Sequence, residues 1–234
     1  SNNTAIGRKA LLNNSTGTQN VALGGEALEA NTTGNYNVAL GKNALLNNTT
    51  ADNNTAVGTY SLDANTTGAN NTAIGFGALG ANTTAGDNTA VGYRALISNV
   101  TGGDNCAFGD SSLASNLASN NVAFGRESLA ANTTGTRNTA LGNYALTVQT
   151  TQSDNCAVGY RALRDNTGAD NTGVGANALY LNTSGQNNTA CGSSALDSNT
   201  TASGNTAVGR MALATMTNYG NQTAVGFNAL ANNS

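Results

Sequence analysis

A short motif recurs along the whole chain and constrains its fold more than any other feature. Asn-Thr-Ala-aliphatic-Gly, with small variations, places glycines seventeen residues apart, except for two spacings of sixteen. Such a period is typical of repeat proteins, in which each unit packs on its neighbours. The sequence therefore predicts fourteen coils, whose motif glycines are Gly7, Gly24, Gly41, Gly58, Gly75, Gly92, Gly109, Gly125, Gly142, Gly159, Gly175, Gly192, Gly209 and Gly226.

Three columns of the repeat indicate where the coils are packed. A leucine stands four residues after every motif glycine, from Leu11 to Leu230, and predicts a core column. The residue before each glycine is apolar, as Val57 is, and predicts a second core column. The position two before the glycine is Ala in thirteen coils and Gly173 in the other, which is a restriction on size. We expect this small-residue column to face a neighbouring chain.

The residue types of the repeat favour β-structure. Gly, Asn and Thr recur in each unit, and they disfavour helix interiors while favouring turns. Residues 54–58 are typical of a short strand and residues 65–68 of a turn. The sequence thus predicts an all-β parallel β-solenoid, or β-roll, of fourteen coils of seventeen residues, with two short facing strands per coil. We expect residues 1–234 to form a single domain, a segment of a longer fibre.

Two asparagine columns run through the repeat. Asparagines before the strands would stack as an amide ladder, because identical residues lie above one another in a solenoid. Asparagines before the turn threonines suit left-handed or turn backbone. The first column includes Asn37, Asn54, Asn71 and Asn88, with Gln222 as its exception, and the second includes Asn31, Asn48, Asn65, Asn82 and Asn99, with Gln149 and Met216 as exceptions.

Composition excludes several classes of function. Histidine is absent, so neither a Ser-His-Asp triad nor a histidine metal site exists, and we expect neither an enzyme nor a cofactor. Nine Lys and Arg residues, offset by twelve Asp and Glu, do not suit a nucleic-acid partner. No apolar run approaches the roughly 20 residues of a membrane span.

Cysteines and aspartates are the candidate reactive or metal-binding groups of the chain. Cys106 and Cys156 share a column three coils apart, too far to form a disulfide. Cys191 lies in another column, and all three are interpreted as small buried residues. Carboxylates in adjacent coils could hold Ca²⁺ with turn carbonyls, and solvated turns are the alternative. The candidate metal ligands are Asp87, Asp104, Asp154 and Asp170.

Two further sets of residues are candidate surface sites. The two positions after the motif glycine vary most, which suggests an outward face whose aromatic and Arg side chains would contact sugars or a partner. Its candidates are Tyr60, Phe76, Tyr93, Arg94, Tyr144, Tyr160, Arg161 and Phe227. Asn-x-Thr or Asn-x-Ser sequons in the turn column are either glycosylation sites or simply turn residues, at Asn31, Asn65, Asn82, Asn132, Asn182 and Asn199.

The repeat resembles those of known surface fibres. Residues 88–96, Asn-Thr-Ala-Val-Gly-Tyr-Arg-Ala-Leu, match at every position the repeat of bacterial and phage tail-fibre proteins. The repeat also resembles the head repeats of trimeric autotransporter adhesins, which have shorter coils. The resemblance implies a left-handed parallel β-roll, often trimeric, that projects from a cell or virion and contacts surfaces or glycans.

These observations predict a structural extracellular fibre or adhesin shaft at a cell or virion surface. The chain enters directly at a motif at Ser1 and stops part-way through a coil at Ser234, so we expect head-to-tail filaments, parallel trimers or both. The alternative function is a glycan- or ice-binding module. Ice would be bound by the threonine columns at Thr32, Thr49, Thr66 and Thr83.

Overall fold

A computed structural model describes residues 2–231 of the chain. The chain divides into two compact units, residues 1–120 and 121–234, which have the same construction. The described residues contain fourteen strands and no helix, and consecutive strands pair in parallel within each unit. The predicted all-β parallel β-solenoid is therefore confirmed, whereas the single domain 1–234 stays a prediction. Ser1 and residues 232–234, on which the head-to-tail expectation drew, lie outside the described residues.

Each coil contributes one three-residue strand to a sheet. The register is one coil per strand, so that Thr55, Ala56 and Val57 pair with the equivalent residues 72–74. The first unit contains β1 (Thr4–Ile6), β2 (Val21–Leu23), β3 (Val38–Leu40), β4 (Thr55–Val57), β5 (Thr72–Ile74), β6 (Thr89–Val91) and β7 (Cys106–Phe108). The second contains β8 (Val122–Phe124), β9 (Thr139–Leu141), β10 (Cys156–Val158), β11 (Thr172–Val174), β12 (Thr189–Cys191), β13 (Thr206–Val208) and β14 (Thr223–Val225).

The strand alanines point into the solenoid, and their neighbours point outward. Side chains alternate along a strand, so burial of Ala56 places Thr55 and Val57 on the opposite face. The prediction of a second core column before the glycine was therefore wrong. Its residues are half-buried or exposed, and Ile74, for example, is 40% exposed.

The size restriction on the alanine column comes from a narrow core. The prediction that this column faces a neighbouring chain was therefore wrong. At Gly173, the one exception, an added Cβ would lie 3.2 Å from Leu163 Cγ and 3.2 Å from the Ala178 carbonyl oxygen. The leucine column therefore lies directly across the core from the strand. Leucines such as Leu96 are fully buried, and the predicted leucine core is confirmed.

The side of the coil that carries the leucines consists of turns, whereas a second strand had been expected. Its backbone still bonds from coil to coil: the Leu62 N–H donates to the Ala78 carbonyl at 3.0 Å, and the Ala64 N–H donates to the Gly80 carbonyl at 3.3 Å. The leucines adopt left-handed backbone, with a φ of 49° at Leu62. This conformation costs about 1–2 kcal/mol per residue, and burial of the leucine offsets it by about 1.5–3 kcal/mol.

The motif glycine marks a close approach of successive coils. Gly92 has a φ of 138°, and a Cβ added there would lie 2.4 Å from the carbonyl oxygen of Gly109 in the next coil. Only a residue without a side chain fits such a position.

The amide ladder predicted for the first asparagine column lies in the second. The second column also has its predicted place in the turn, because Asn65 Nδ2 donates to the Gly68 carbonyl, three residues on, at 2.9 Å. In the first column the Asn54 backbone N–H donates to Asn37 Oδ1 at 2.9 Å, and Asn54 Nδ2 donates to the Gly68 carbonyl at 2.9 Å. These side chains tie backbone groups together. The amide ladder lies in the second column, where Asn65 Nδ2 donates to Asn48 Oδ1 at 3.0 Å. Both columns are buried, so they complete the polar part of the core.

Candidate interaction surfaces

The outward face of the strands is an uncharged surface of each unit. We call it the strand face; its residues are the first and third of each strand. Across the described strands no residue is charged. The third position carries aliphatic or aromatic residues in thirteen strands, of which Leu23 is 46% exposed and Phe124 is 40% exposed. Exposed apolar surface of this extent marks an interaction site more often than an ordinary surface does.

The three cysteines lie on the strand face, which corrects their interpretation as buried residues. Cys106 and Cys156 occupy the first strand position and are half-buried, and Cys191 occupies the third and is exposed. Partial burial raises the pKa of the Cys106 thiol above its ordinary value. All three are free, in agreement with the expected absence of an intrachain disulfide.

The predicted aromatic and arginine candidates gather at one edge of the strand face. We call the two residues after each motif glycine the basic corner. Tyr60, Phe76 and Tyr93 form a row over three successive coils, with ring centroids 5.9 Å and 5.7 Å apart. Tyr144 and Tyr160 form a shorter row in the second unit, at 6.2 Å. These residues are half-buried or exposed, as their variability indicated.

Arginine side chains cover several of these rings. The Arg94 guanidinium carbon lies 5.9 Å from the centroid of the Tyr93 ring, Arg161 lies 4.8 Å from Tyr160, and Arg210 lies 5.7 Å from Phe227. Such cation–π contacts hold the cation at the surface without pairing it to an acid. The basic corner therefore combines apolar rings with positive charge.

The opposite edge of the strand face holds the predicted metal candidates. We call the residues two and three before each strand the acidic corner; Asp87, Asp104, Asp154 and Asp170 are exposed there. Arg137 pairs with Asp154 at 2.7 Å, and this hydrogen bond lowers the pKa of the Asp154 carboxyl. Among the described residues no group of three acids, cysteines or histidines is placed to hold a metal. A Ca²⁺ site made of two carboxylates and turn carbonyls stays a prediction.

The turn-column sequons lie inside the solenoid, which favours turn residues over glycosylation sites, the two alternatives that the sequence left open. Asn65 Nδ2, the atom that would carry a glycan, is buried and donates to Asn48 Oδ1 and to the Gly68 carbonyl. A glycan has no room there in the folded coil. The same burial applies to the whole set, Asn31, Asn65, Asn82, Asn132, Asn182 and Asn199.

The turn threonines proposed for ice are occupied by structural bonds. The Thr32 hydroxyl donates to the Thr49 carbonyl at 3.0 Å, and the Thr66 hydroxyl donates to the Thr83 carbonyl at 3.0 Å. Hydroxyl protons used in this way are not available to an external lattice. These columns are components of the coil.

Two features were not predicted from the sequence. One is the exposed apolar strand face, and the other is the negative charge of the acidic corner. The signal for the first was the alanine column, which is uniform because it is inside. The signal for the second was the distribution of charge over the columns of the repeat.

No protein-family model and no curated protein matches the chain. The part of the chain that the structure describes contains no helix long and apolar enough to span a membrane.

Proposed function

We propose that this chain is a structural element of an extracellular fibre or adhesin shaft at a cell or virion surface. The observation that carries the proposal is the continuous bonding of coil to coil within each unit. Successive coils are joined by strand pairing, by the backbone bonds of the leucine side and by both asparagine columns. Such a one-dimensional stack resists local opening, because no coil can leave without breaking bonds on both sides.

Self-association is the second part of this proposal. The strand face exposes uncharged apolar columns, whereas the interior is filled by alanine, leucine and asparagine. A second copy would cover this apolar surface and gain the free energy of its burial. Parallel trimers and head-to-tail filaments are the two assemblies proposed. Catalysis, nucleic-acid binding and a resident cofactor have no part in this function.

Sedimentation velocity tests the proposal directly. The purified chain is expected to form a defined oligomer, and Ile74→Lys on the strand face is expected to yield a folded monomer. Tyr219→Lys is a matched control, because Tyr219 is exposed at 59% but lies outside the strands. A parent chain that stays monomeric at all concentrations, or an Ile74→Lys variant that assembles normally, would contradict self-association through this face. Rapid cleavage of the folded parent within the coils by a protease would contradict the shaft role.

A glycan-binding module is the alternative, and the aromatic row at Tyr60, Phe76 and Tyr93 favours it. Exposed rings stack on the apolar faces of sugars, and a neighbouring Arg94 suits an acidic sugar. Isothermal titration with alginate, a polymer of uronic acids, tests this alternative. Loss of binding in Tyr93→Ala, with binding retained in the isolated exposed-tyrosine variant Tyr36→Ala, would support it.

A further inference from the structure

Charged side chains are unevenly divided between the two edges of the strand face. The basic corner holds seven of the nine basic residues and three of the twelve acidic ones, whereas the acidic corner holds five acidic residues and one basic. One edge is therefore positive and the other negative, although the whole chain carries a net charge of −3. Both units show the same polarity, so it is a property of the repeat and not of one coil.

Several cations of the basic corner have no acidic partner among residues 2–231, which the structure describes. Arg8 pairs with Glu26, Lys9 with Glu29 and Arg126 with Glu127. Among the described residues, the remaining four make no ion pair: Lys42, Arg94, Arg161 and Arg210. Three of these lie beside aromatic rings, so their charge is held in place but not neutralised.

The acidic corner shows the converse. Asp154 is neutralised by Arg137, but within the described residues the other four carboxylates make no ion pair. Asp52 accepts only amide hydrogen bonds from Asn35, and Asp87 accepts one from Asn70. The unneutralised acids are Asp52, Asp87, Asp104 and Asp170.

Symmetry decides which edges meet when two copies cover each other's strand faces. A rotation axis parallel to the stacking direction brings the basic corner of one copy against the acidic corner of the next. A two-fold axis along the strand direction instead opposes like corners and makes the copies antiparallel. Like charges repel and unlike charges attract across such an interface, so the charge distribution favours parallel copies.

The charged residues occupy positions along the stacking direction that allow two parallel copies to pair without an axial offset between them. Arg94 follows β6 and Asp87 precedes β6, so they share a coil. Lys42 follows β3 and Asp52 precedes β4, one coil away. In the second unit, Arg161 follows β10 and Asp170 precedes β11. Each of these three cations of one copy would thus lie within one coil, about 4.8 Å along the axis, of an acid on its neighbour. Arg210 follows β13 and would lie two coils from Asp170.

We infer that copies of this chain associate side by side and parallel, with the basic corner of one against the acidic corner of the next. The inference rests on the proposed self-association and specifies its direction and its register. The apolar strand face supplies attraction without orientation, whereas the two charged corners exclude the antiparallel alternative. The aromatic rings position the basic side chains for this contact.

Charge exchange between the corners tests the inference by sedimentation velocity. Arg94→Asp should raise the dissociation constant of the oligomer roughly tenfold at low salt, because it places like charges across the contact. Arg164→Asp changes the net charge equally at a position outside both corners and should have less effect. The double variant Arg94→Asp/Asp87→Arg should restore association, and molar salt should weaken the parent oligomer because screening shortens to about 3 Å.

Zero-length carbodiimide cross-linking of mixed isotope-labelled and unlabelled copies tests the register. Parallel pairing predicts an amide between Lys42 of one copy and Asp52 of another. An associated parent that is insensitive to salt and to Arg94→Asp overturns the corner pairing but leaves self-association standing. A parent that is monomeric at low salt overturns both. Unchanged association of Arg94→Asp together with lost alginate binding assigns the basic corner to a glycan instead.

Discussion

The two sides of each strand differ in the size of their apolar side chains, in the opposite sense to the usual rule that the more hydrophobic residues lie inside. The inner position is alanine in thirteen strands and glycine in one, whereas the outer third position varies among Val, Ile, Leu, Phe and Cys. The larger apolar side chains are therefore outside and the smallest are inside. The comparison teaches that uniform size along a repeat indicates confinement, and that variable size indicates a surface free to differ between coils.

The largest expected effect comes from the partner of the inner position, the leucine column. Leu96→Ala should destabilise the fold by about 2–5 kcal/mol, because it removes a fully buried side chain from a close-packed core. Val91→Ala, on the outer side of β6, should cost far less. Urea unfolding followed by circular dichroism measures both. Equal losses would break the distinction between the inner and outer sides.

Enlarging the inner position should be the next most damaging change. Ala90→Leu should destabilise the fold by about 1–3 kcal/mol, since the leucine column leaves no room for added methylene groups. The adjacent Val91→Leu adds one methylene group on the outer side and should be tolerated. Thermal unfolding of the two variants gives the comparison. A parent-like melting temperature for Ala90→Leu would show that the core is wider than the contacts at Gly173 indicate.

These variants bear on what the sequence could predict. The coil length, the strand position and the buried Leu96 column followed from the period, because a repeat places equivalent residues in equivalent surroundings. The orientation of Ala56 and Val57 did not follow. Alternation separates two faces without stating which is inside, and the greater hydrophobicity of Val57 favoured the wrong choice.

The candidate surfaces were predicted in part for a similar reason. Phe76 and Tyr93 were placed outward from their variability, which is a property visible in the sequence. The amide ladder was assigned to the column of Asn54, but it lies in the column of Asn65. The partner of each amide depends on its distance from the next coil, which the sequence does not show. Burial of the Asn65 sequon could not be predicted for the same reason, because it also depends on the geometry of the coil.

A break in the inner amide ladder offers a stabilising substitution. Met216 replaces the ladder asparagine and is buried, and Asn199 Oδ1 is left without a hydrogen-bond donor. Met216→Asn should restore the donor and raise the free energy of unfolding by about 1 kcal/mol. Met216→Leu is the control, because it keeps an apolar side chain without a donor. Urea unfolding that ranks the asparagine variant at or below the leucine variant would contradict the ladder assignment.

The smallest effect concerns a carboxyl that is partly buried beside the leucine side of a coil. Burial raises the pKa of Asp197 above its ordinary value, so the folded state binds this proton more tightly than the unfolded state does. Ionisation therefore weakens the fold at neutral pH, and stability returns as the pH falls through the folded pKa. Asp197→Asn should raise the free energy of unfolding at pH 7 by less than about 1 kcal/mol, because the carboxyl is only half-buried. The difference from the parent should vanish below the ordinary pKa of aspartate, where both side chains are neutral. A variant whose advantage is the same at pH 7 and at pH 3 would show that its effect comes from packing and not from ionisation.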